Sequence, residues 1–301
     1  MGATRSASRG TCASDQARDP ARALTPTALT IAGSDSGGGA GIQADLKAFA
    51  RCGVYGTSAI TAITAQNTVG VTVIHAVPGE IVLAQARAVL ADIRIDAVKV
   101  GMLGTVEATL AVARVLDELP PGIPVVVDPV MVAESGASLL DPDAQRALVG
   151  EILPRATVLT PNLPEARVLS GELLDDRQSV AVDEEEEAEA LLRAVLALGP
   201  RIVVLTGGHR ARAVDLFLDS SGDGSVVGIE GERHSDGAAH GSGCTHSSVL
   251  AAQLALGCSP LHAARTARAL AGAAVADGLR DIGEGAGPVD VLGLARMRAA
   301  D

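Results

Sequence analysis

The sequence predicts an α/β fold, a central and mostly parallel β-sheet flanked by helices on both faces. Three observations lead there. Short β-branched runs alternate with longer Ala- and Leu-rich stretches of helical length along the 301 residues. The strand runs are apolar almost throughout, the pattern of strands covered on both faces. A content of 48% hydrophobic residues over that length supports one sizeable core without a division into domains.

The elements follow in order. Residues 1–26 mix Arg, Ser, Asp and Ala without an apolar stretch, which predicts a disordered extension rather than a secretory signal. Residues 27–301 read as a single domain. Strands are expected over 27–32, 57–62, 95–100, 124–128, 157–160 and 201–206, with helices over 42–51, 80–91, 105–118 and 184–198. The runs 213–218 and 225–230 surround Ser220-Ser221-Gly222-Asp223-Gly224 and predict an antiparallel hairpin. The last third turns helical, over 244–256, 260–278 and 289–299. The acids Glu184 to Glu187 suit a solvated helix start.

Composition narrows the partners. A net charge of -12 without a Lys/Arg cluster argues against a phosphate-tracking nucleic-acid face. An aromatic content of 1%, with no Trp, removes the stacking platforms that single strands use. No apolar run approaches the roughly 18–20 residues that span a bilayer. The four cysteines, Cys12, Cys52, Cys244 and Cys258, lack CxxC or zinc spacing and read as reduced thiols of a cytoplasmic protein.

Four loops carry chemistry, each beside a strand end or helix start, where open α/β sheets gather ligands. Gly33-Ser34-Asp35-Ser36-Gly37-Gly38-Gly39-Ala40-Gly41 has five glycines in nine residues, so its backbone can press against a ligand. It has neither the GxGxxG nor the GxxxxGK[ST] arrangement. His240-Gly241-Ser242-Gly243-Cys244-Thr245 opens an apolar helix, where free amides and the helix dipole favour an anion and should lower the Cys244 thiol pKa. Thr160-Pro161-Asn162-Leu163-Pro164-Glu165 sets Asn162 and Glu165 about a Pro-started helix, an arrangement suited to a hydrated Mg²⁺. Thr206-Gly207-Gly208 follows a strand and permits close phosphate approach. Asp128 ends a buried strand, where a carboxylate needs a partner or a cation. His75, His246 and His262 read as ordinary polar or surface residues. Taken singly, each loop is equally a turn or a cap.

In combination they say more. Ala32-Gly33-Ser34-Asp35…Gln43-Ala44-Asp45-Leu46-Lys47, Ala65-Gln66-Asn67-Thr68, Lys99-Val100-Gly101-Met102, Asp128-Pro129-Val130-Met131, Thr160 to Glu165 and Gly241-Ser242-Gly243-Cys244-Thr245 closely resemble the hydroxymethylpyrimidine/phosphomethylpyrimidine kinases of thiamine synthesis. These are members of the ribokinase-like superfamily, and the resemblance runs from about 27 to 295.

The resemblance implies ATP and Mg²⁺ as co-substrates and a pyrimidine alcohol, then its monophosphate, as acceptors. It implies that Gln66, Gly33, Ala40, Met102 and Val130, with Asp45 nearby, hold the pyrimidine. Gly241, Ser242, Gly243 and Cys244 form the catalytic anion hole. Thr206, Gly207, Gly208, Asn162 and Glu165 serve the nucleotide, and Asp128 and Glu165 hold Mg²⁺ through water. The family's common lysines before Gly-Gly and after Met-Val-Ala are Thr206 and Glu134 here. A pyridoxal-type vitamin kinase and a non-catalytic pyrimidine-binding protein are the alternatives, and a homodimer is left open.

Overall fold

A computed structural model of the chain describes residues 24–131, 140–171, 184–209, 212–234 and 238–299. The expected extension lies outside these residues as far as 23, and Glu134 lies outside them too.

Nine strands form one sheet: β1 (Thr27–Asp35), β2 (Tyr55–Gln66), β3 (Val71–Ala76), β4 (Ala97–Val100), β5 (Val125–Val127), β6 (Val158–Leu159), β7 (Ile202–Leu205), β8 (Val214–Asp219) and β9 (Val227–Glu230). Their order is β3-β2-β1-β4-β5-β6-β7-β8-β9. From β2 to β7 neighbours run parallel, while β3, β8 and β9 are antiparallel additions at the edges. Every expected strand forms, and β8 and β9 make the expected hairpin. β3 is an addition: its exposed run Val71–Ala76 lacks a buried face to mark it in the sequence.

The helices are α1 (Gly41–Arg51), α2 (Gly79–Asp92), α3 (Val106–Asp117), α4 (Pro142–Ala147), α5 (Leu163–Ser170), α6 (Glu184–Leu196), α7 (Ser242–Ala255), α8 (Pro260–Ala276) and α9 (Leu294–Ala299). The last starts later than 289 because Asp290 turns its carboxylate onto the amides of Leu294 and Ala295, both at 2.8 Å, and caps it there. None of the described helices is long and apolar enough to cross a membrane. Cys52 and Cys244 are free thiols.

Strand alternation divides the interior into two cores. Leu29, Ile31, Val98, Val100, Val125, Val127, Val203 and Leu205 face α2, α3 and α6. Ala28, Val126, Val158, Ile202 and Val204 face α1, α7 and α8. On that second side α7 packs on α8, with Ala251, Ala252, Ala263, Ala264 and Ala267 completely buried. The second face also holds polar residues, Thr30 on β1 and Lys99 on β4, which pair in register. The chain leaves β1 for β2 on one side and later returns to β4 on the other. That reversal opens a crevice at the carboxyl ends of the strands.

Candidate active site

A cavity of about 530 Å³ occupies this crevice, along the carboxyl ends of β1 and β4 to β7. The Gly-rich loop forms one wall. Its shape is set by Asp35, whose Oδ1 accepts from the Gly37 amide at 2.8 Å and whose Oδ2 accepts from those of Gly39 and Ala40 at 3.0 and 2.8 Å. Gly33, Ala40, Gln66, Met102 and Val130 come together on this part of the cavity. Met102 rests against Gly33, where a Cβ would lie 2.7 Å from the Met102 methyl. The Gln66 carbonyl accepts from the Thr64 hydroxyl at 3.2 Å, which leaves its NH₂ turned to other acceptors.

Asp45 is placed differently from the sequence expectation. It is completely buried beneath the cavity rather than on its wall. Its carboxylate is committed to Thr30 and Ser248 hydroxyls at 2.6 Å each and to the Lys99 ammonium at 3.1 Å. The i to i+3 spacing after Ile42 turns Asp45 inward, so it supports the site from below.

Lys99 is the hub that sequence reasoning missed as a functional residue. It is completely buried, lies 3.9 Å from Asp128 as well, and touches the cavity. Burial pushes its ammonium pKa down, but the attraction of Asp45 and other nearby groups outweighs this and the net shift is upward. The available signal was a lone charge between two valines in a strand with no polar face. Asp128 accepts from the Ser247 hydroxyl at 2.9 Å. Burial raises its pKa in spite of Lys99 and Ser247.

Glu165 and Asn162 form a capping box at the start of α5. The Glu165 amide donates to Asn162 Oδ1 at 2.8 Å, and the Asn162 amide to Glu165 Oε2 at 2.9 Å. Burial first, then the charge of Asp128, pushes the Glu165 carboxyl up to about 8. An acid whose folded pKa lies above its unfolded value of about 4.3 destabilises the fold progressively as pH rises between the two. Glu165→Gln, which keeps the acceptor, should therefore gain stability over the wild type as pH climbs from about 4.3 to about 8 and level off above. Urea midpoints at pH 5, 7 and 9 check this; a constant difference at all three would place Glu165 in an ordinary environment.

Among the described residues no group of three or more His, Cys, Asp or Glu side chains could hold a metal directly. Asp128 and Glu165 fit a cation held through its waters. Asp128 is buried and Glu165 half-buried, desolvation pushes both carboxyls up, and Asp128 raises Glu165 further. A divalent charge between them would remove that repulsion.

Another wall is the start of α7. Gly241 caps it in the left-handed region, φ +82°, and packs directly on the Gly-rich loop. The Ser242 amide is tied to Ala239 O at 3.0 Å. The amides of Gly243 and Cys244, in the first turn, have no acceptor within the helix and are free for an anion. The expected lowering of the Cys244 pKa does not occur. Burial pushes the thiol up to about 12, with Asp128 and Asp45 adding to the shift, while Lys99 and the Gly41 amide oppose it. Desolvation outweighs the helix dipole here, so the thiol is protonated at neutral pH.

Thr206, Gly208, Asn162 and Glu165 line the cavity beside α7; Gly207 does not. Its amide turns away to donate to Asp215 Oδ1 at 2.7 Å, and a Cβ would meet the Val214 backbone at 2.5 Å. Asp215 also holds His246 Nε2 at 3.1 Å and lies 3.8 Å from Arg268. His246 is therefore a buried cavity residue, not the ordinary polar or surface residue the sequence suggested. Its position on the inner face of α7 was legible only once the helix register was known.

The comparisons extend this geometry to known proteins. The family model for phosphomethylpyrimidine kinase matches residues 35–290. A hydroxymethylpyrimidine/phosphomethylpyrimidine kinase of Rhizobium meliloti is 48% identical over 272 residues, covering 88% of this chain and 97% of its own. The crystal structure of a phosphomethylpyrimidine kinase from Clostridium difficile superposes with a TM-score of 0.68 at 38% identity, over 80% of this chain and 96% of that one. The pyridoxal kinase of Staphylococcus aureus in complex with AMP-PCP and pyridoxal gives 0.78 at 32% identity, over 91% and 96%. A phosphotransferase cavity at the switch point and a family match over nearly the whole described chain point the same way: the chain belongs to the phosphomethylpyrimidine kinase family.

Proposed function

We propose that this kinase transfers the γ-phosphoryl group of ATP to the hydroxymethyl group of 4-amino-5-hydroxymethyl-2-methylpyrimidine, and then a second phosphoryl group to the monophosphate, in thiamine biosynthesis. The observation that carries the reading is one cavity lined by an amide side chain, Gln66, by a helix N-terminus and by two acids, Asp128 and Glu165. Gln66 has the donor that a ring nitrogen of an aminopyrimidine needs, and Gly33, Ala40, Met102 and Val130 offer apolar contact to the ring. Thr206 and Gly208 border the nucleotide. Asp128 and Glu165 would hold Mg²⁺ through water, and the ion would neutralise phosphate charge.

Phosphoryl transfer passes through a loose transition state, so positioning and charge stabilisation dominate. The Gly243 and Cys244 amides can take the charge on the transferred group, with Lys99 beneath them in the α7 face. A protonated Cys244 thiol cannot accept the alcohol's proton. The reading that follows gives Cys244 a backbone and shape role in both steps.

Cys244→Ala should then slow both phosphorylations by similar factors, measured as separate half-reactions. A loss of about 10²-fold or more confined to the alcohol step would make the thiol its base and overturn this role.

The structural likeness to the Staphylococcus aureus pyridoxal kinase favours a second reading, pyridoxal as acceptor. Parallel coupled assays with the hydroxymethylpyrimidine and with pyridoxal decide between them. A kcat/KM higher for pyridoxal would overturn the first reading, and no turnover with either would overturn both.

A further inference from the structure

Two loops that serve different parts of the cavity are joined by one buried hydrogen bond. His240 Nε2 lies 3.1 Å from Asp35 Oδ2, and the two residues are 7% and 2% exposed. An ionised carboxylate only accepts, so His240 carries its proton on Nε2 and donates it. Burial pushes the Asp35 carboxyl up, but the bond from His240 and those from the Ala40 and Gly37 amides outweigh it and hold it below the ordinary range.

The packing around this bond is tight. A Cβ at Gly39 would lie 2.2 Å from the His240 ring, and one at Gly241 would lie 1.8 Å from Gly39 O. The His240 backbone is fixed as well, because its amide donates to Gly287 O at 3.3 Å and its carbonyl accepts from the Val289 amide at 3.1 Å. Asp35 thus collects three amides of the Gly-rich loop and one imidazole, and that imidazole belongs to the residue just before the anion hole.

We infer that Asp35 and His240 are a positioning pair: they lock the acceptor-facing loop to the start of α7, so that the acceptor pocket and the anion-stabilising amides are held in one register before substrate arrives. This rests on the reading of Gly243 and Cys244 as the groups that meet the transferred phosphoryl group. Both residues line the cavity, and the bond between them acts on the reaction through the loops it joins. Its effect is on geometry, where a displacement of about 1 Å can cost about 10²-fold in rate.

The test has an activity arm and an arm that does not use activity. In the first, His240→Ala should lower kcat by about 10²-fold while the Kd for a non-hydrolysable ATP analogue stays within about twofold, since Thr206 and Gly208 belong to other loops. His240→Gln, whose amide nitrogen can stand where Nε2 stands, should recover most of the loss. Asp35→Asn, which turns an NH₂ toward donors, should cost about as much as His240→Ala, and the double variant little more than either. In the second arm, hydrogen exchange of the folded protein should show residues 37–43 and 241–245 losing protection together in His240→Ala. An unchanged kcat in folded His240→Ala, no recovery in folded His240→Gln, or loss of protection in one segment only would overturn the inference. A wild type inactive on both acceptors would sink the functional reading, and the exchange arm would still decide the pairing.

Discussion

Lys99→Met should come close to unfolding the protein. The ammonium is completely buried, 3.1 Å from Asp45 and 3.9 Å from Asp128, and its loss leaves two carboxyls in the interior without a cation. Breaking a buried ion pair from one side costs about 3–5 kcal/mol, a large share of the roughly 5–15 kcal/mol that holds a domain together. The defect should depend on pH with a definite sign. Without Lys99 the Asp128 carboxyl, already raised by burial, is raised further, so stability falls as pH climbs above about 3.9, and the variant should be less crippled at pH 5 than at pH 8. Adding Asp45→Asn should restore part of the loss, because the amide carries no charge, accepts from one of the Thr30 and Ser248 hydroxyls and donates to the oxygen of the other. Urea denaturation of the three proteins at both pH values measures this. A single variant as stable as the wild type would mean that the carboxyls are neutral already.

Gly241→Ala should abolish most of the activity. At φ +82° an alanine is strained, and its Cβ would stand 1.8 Å from Gly39 O, a backbone atom of the opposing loop. Something must move, and what moves is either the anion hole or the wall that faces the acceptor. Loss of oriented oxyanion donors typically costs about 10²–10³-fold in kcat. The neighbour provides the contrast: a Cβ at Gly243 meets nothing within 4 Å, so Gly243→Ala should leave stability unchanged or slightly higher. Steady-state kinetics beside thermal melts of the two variants separate a local clash from general intolerance in the loop. Equal stability of both variants, with full activity in Gly241→Ala, would show that the left-handed cap is dispensable.

The parallel strands were legible because burial on both faces leaves near-continuous apolar runs, as in 124–128 and 201–206. β3 was not, because Thr72 to Ala76 are exposed and the strand owes its place to pairing with β2 alone. The cavity loops were legible as sequence because glycines and Pro-started helices mark close approach and caps. What sat behind them was not. Asp45, Lys99, Asp215 and His246 act through partners as far as 203 residues away, and no local pattern reports such distances. Cys244 shows the same limit from another side. A helix N-terminus visible in sequence argues for a low pKa, while the burial that overrides it belongs to the fold.

The alanine seam between α7 and α8 has a consequence for how this enzyme can vary. Alanine has no bulk to give up, so the layer behind the anion hole loses little when trimmed. Any larger side chain at Ala251, Ala252, Ala263, Ala264 or Ala267 has to pry two helices apart, typically at about 1–3 kcal/mol. One of those helices carries the amides of Gly243 and Cys244 at its start, and the other carries Arg268 against Asp215. Growth in the seam would therefore shift the catalytic geometry before it melted the fold. Drift of the chain through sequence space is constrained on this side by spacing, and on the α2–α3 side by volume.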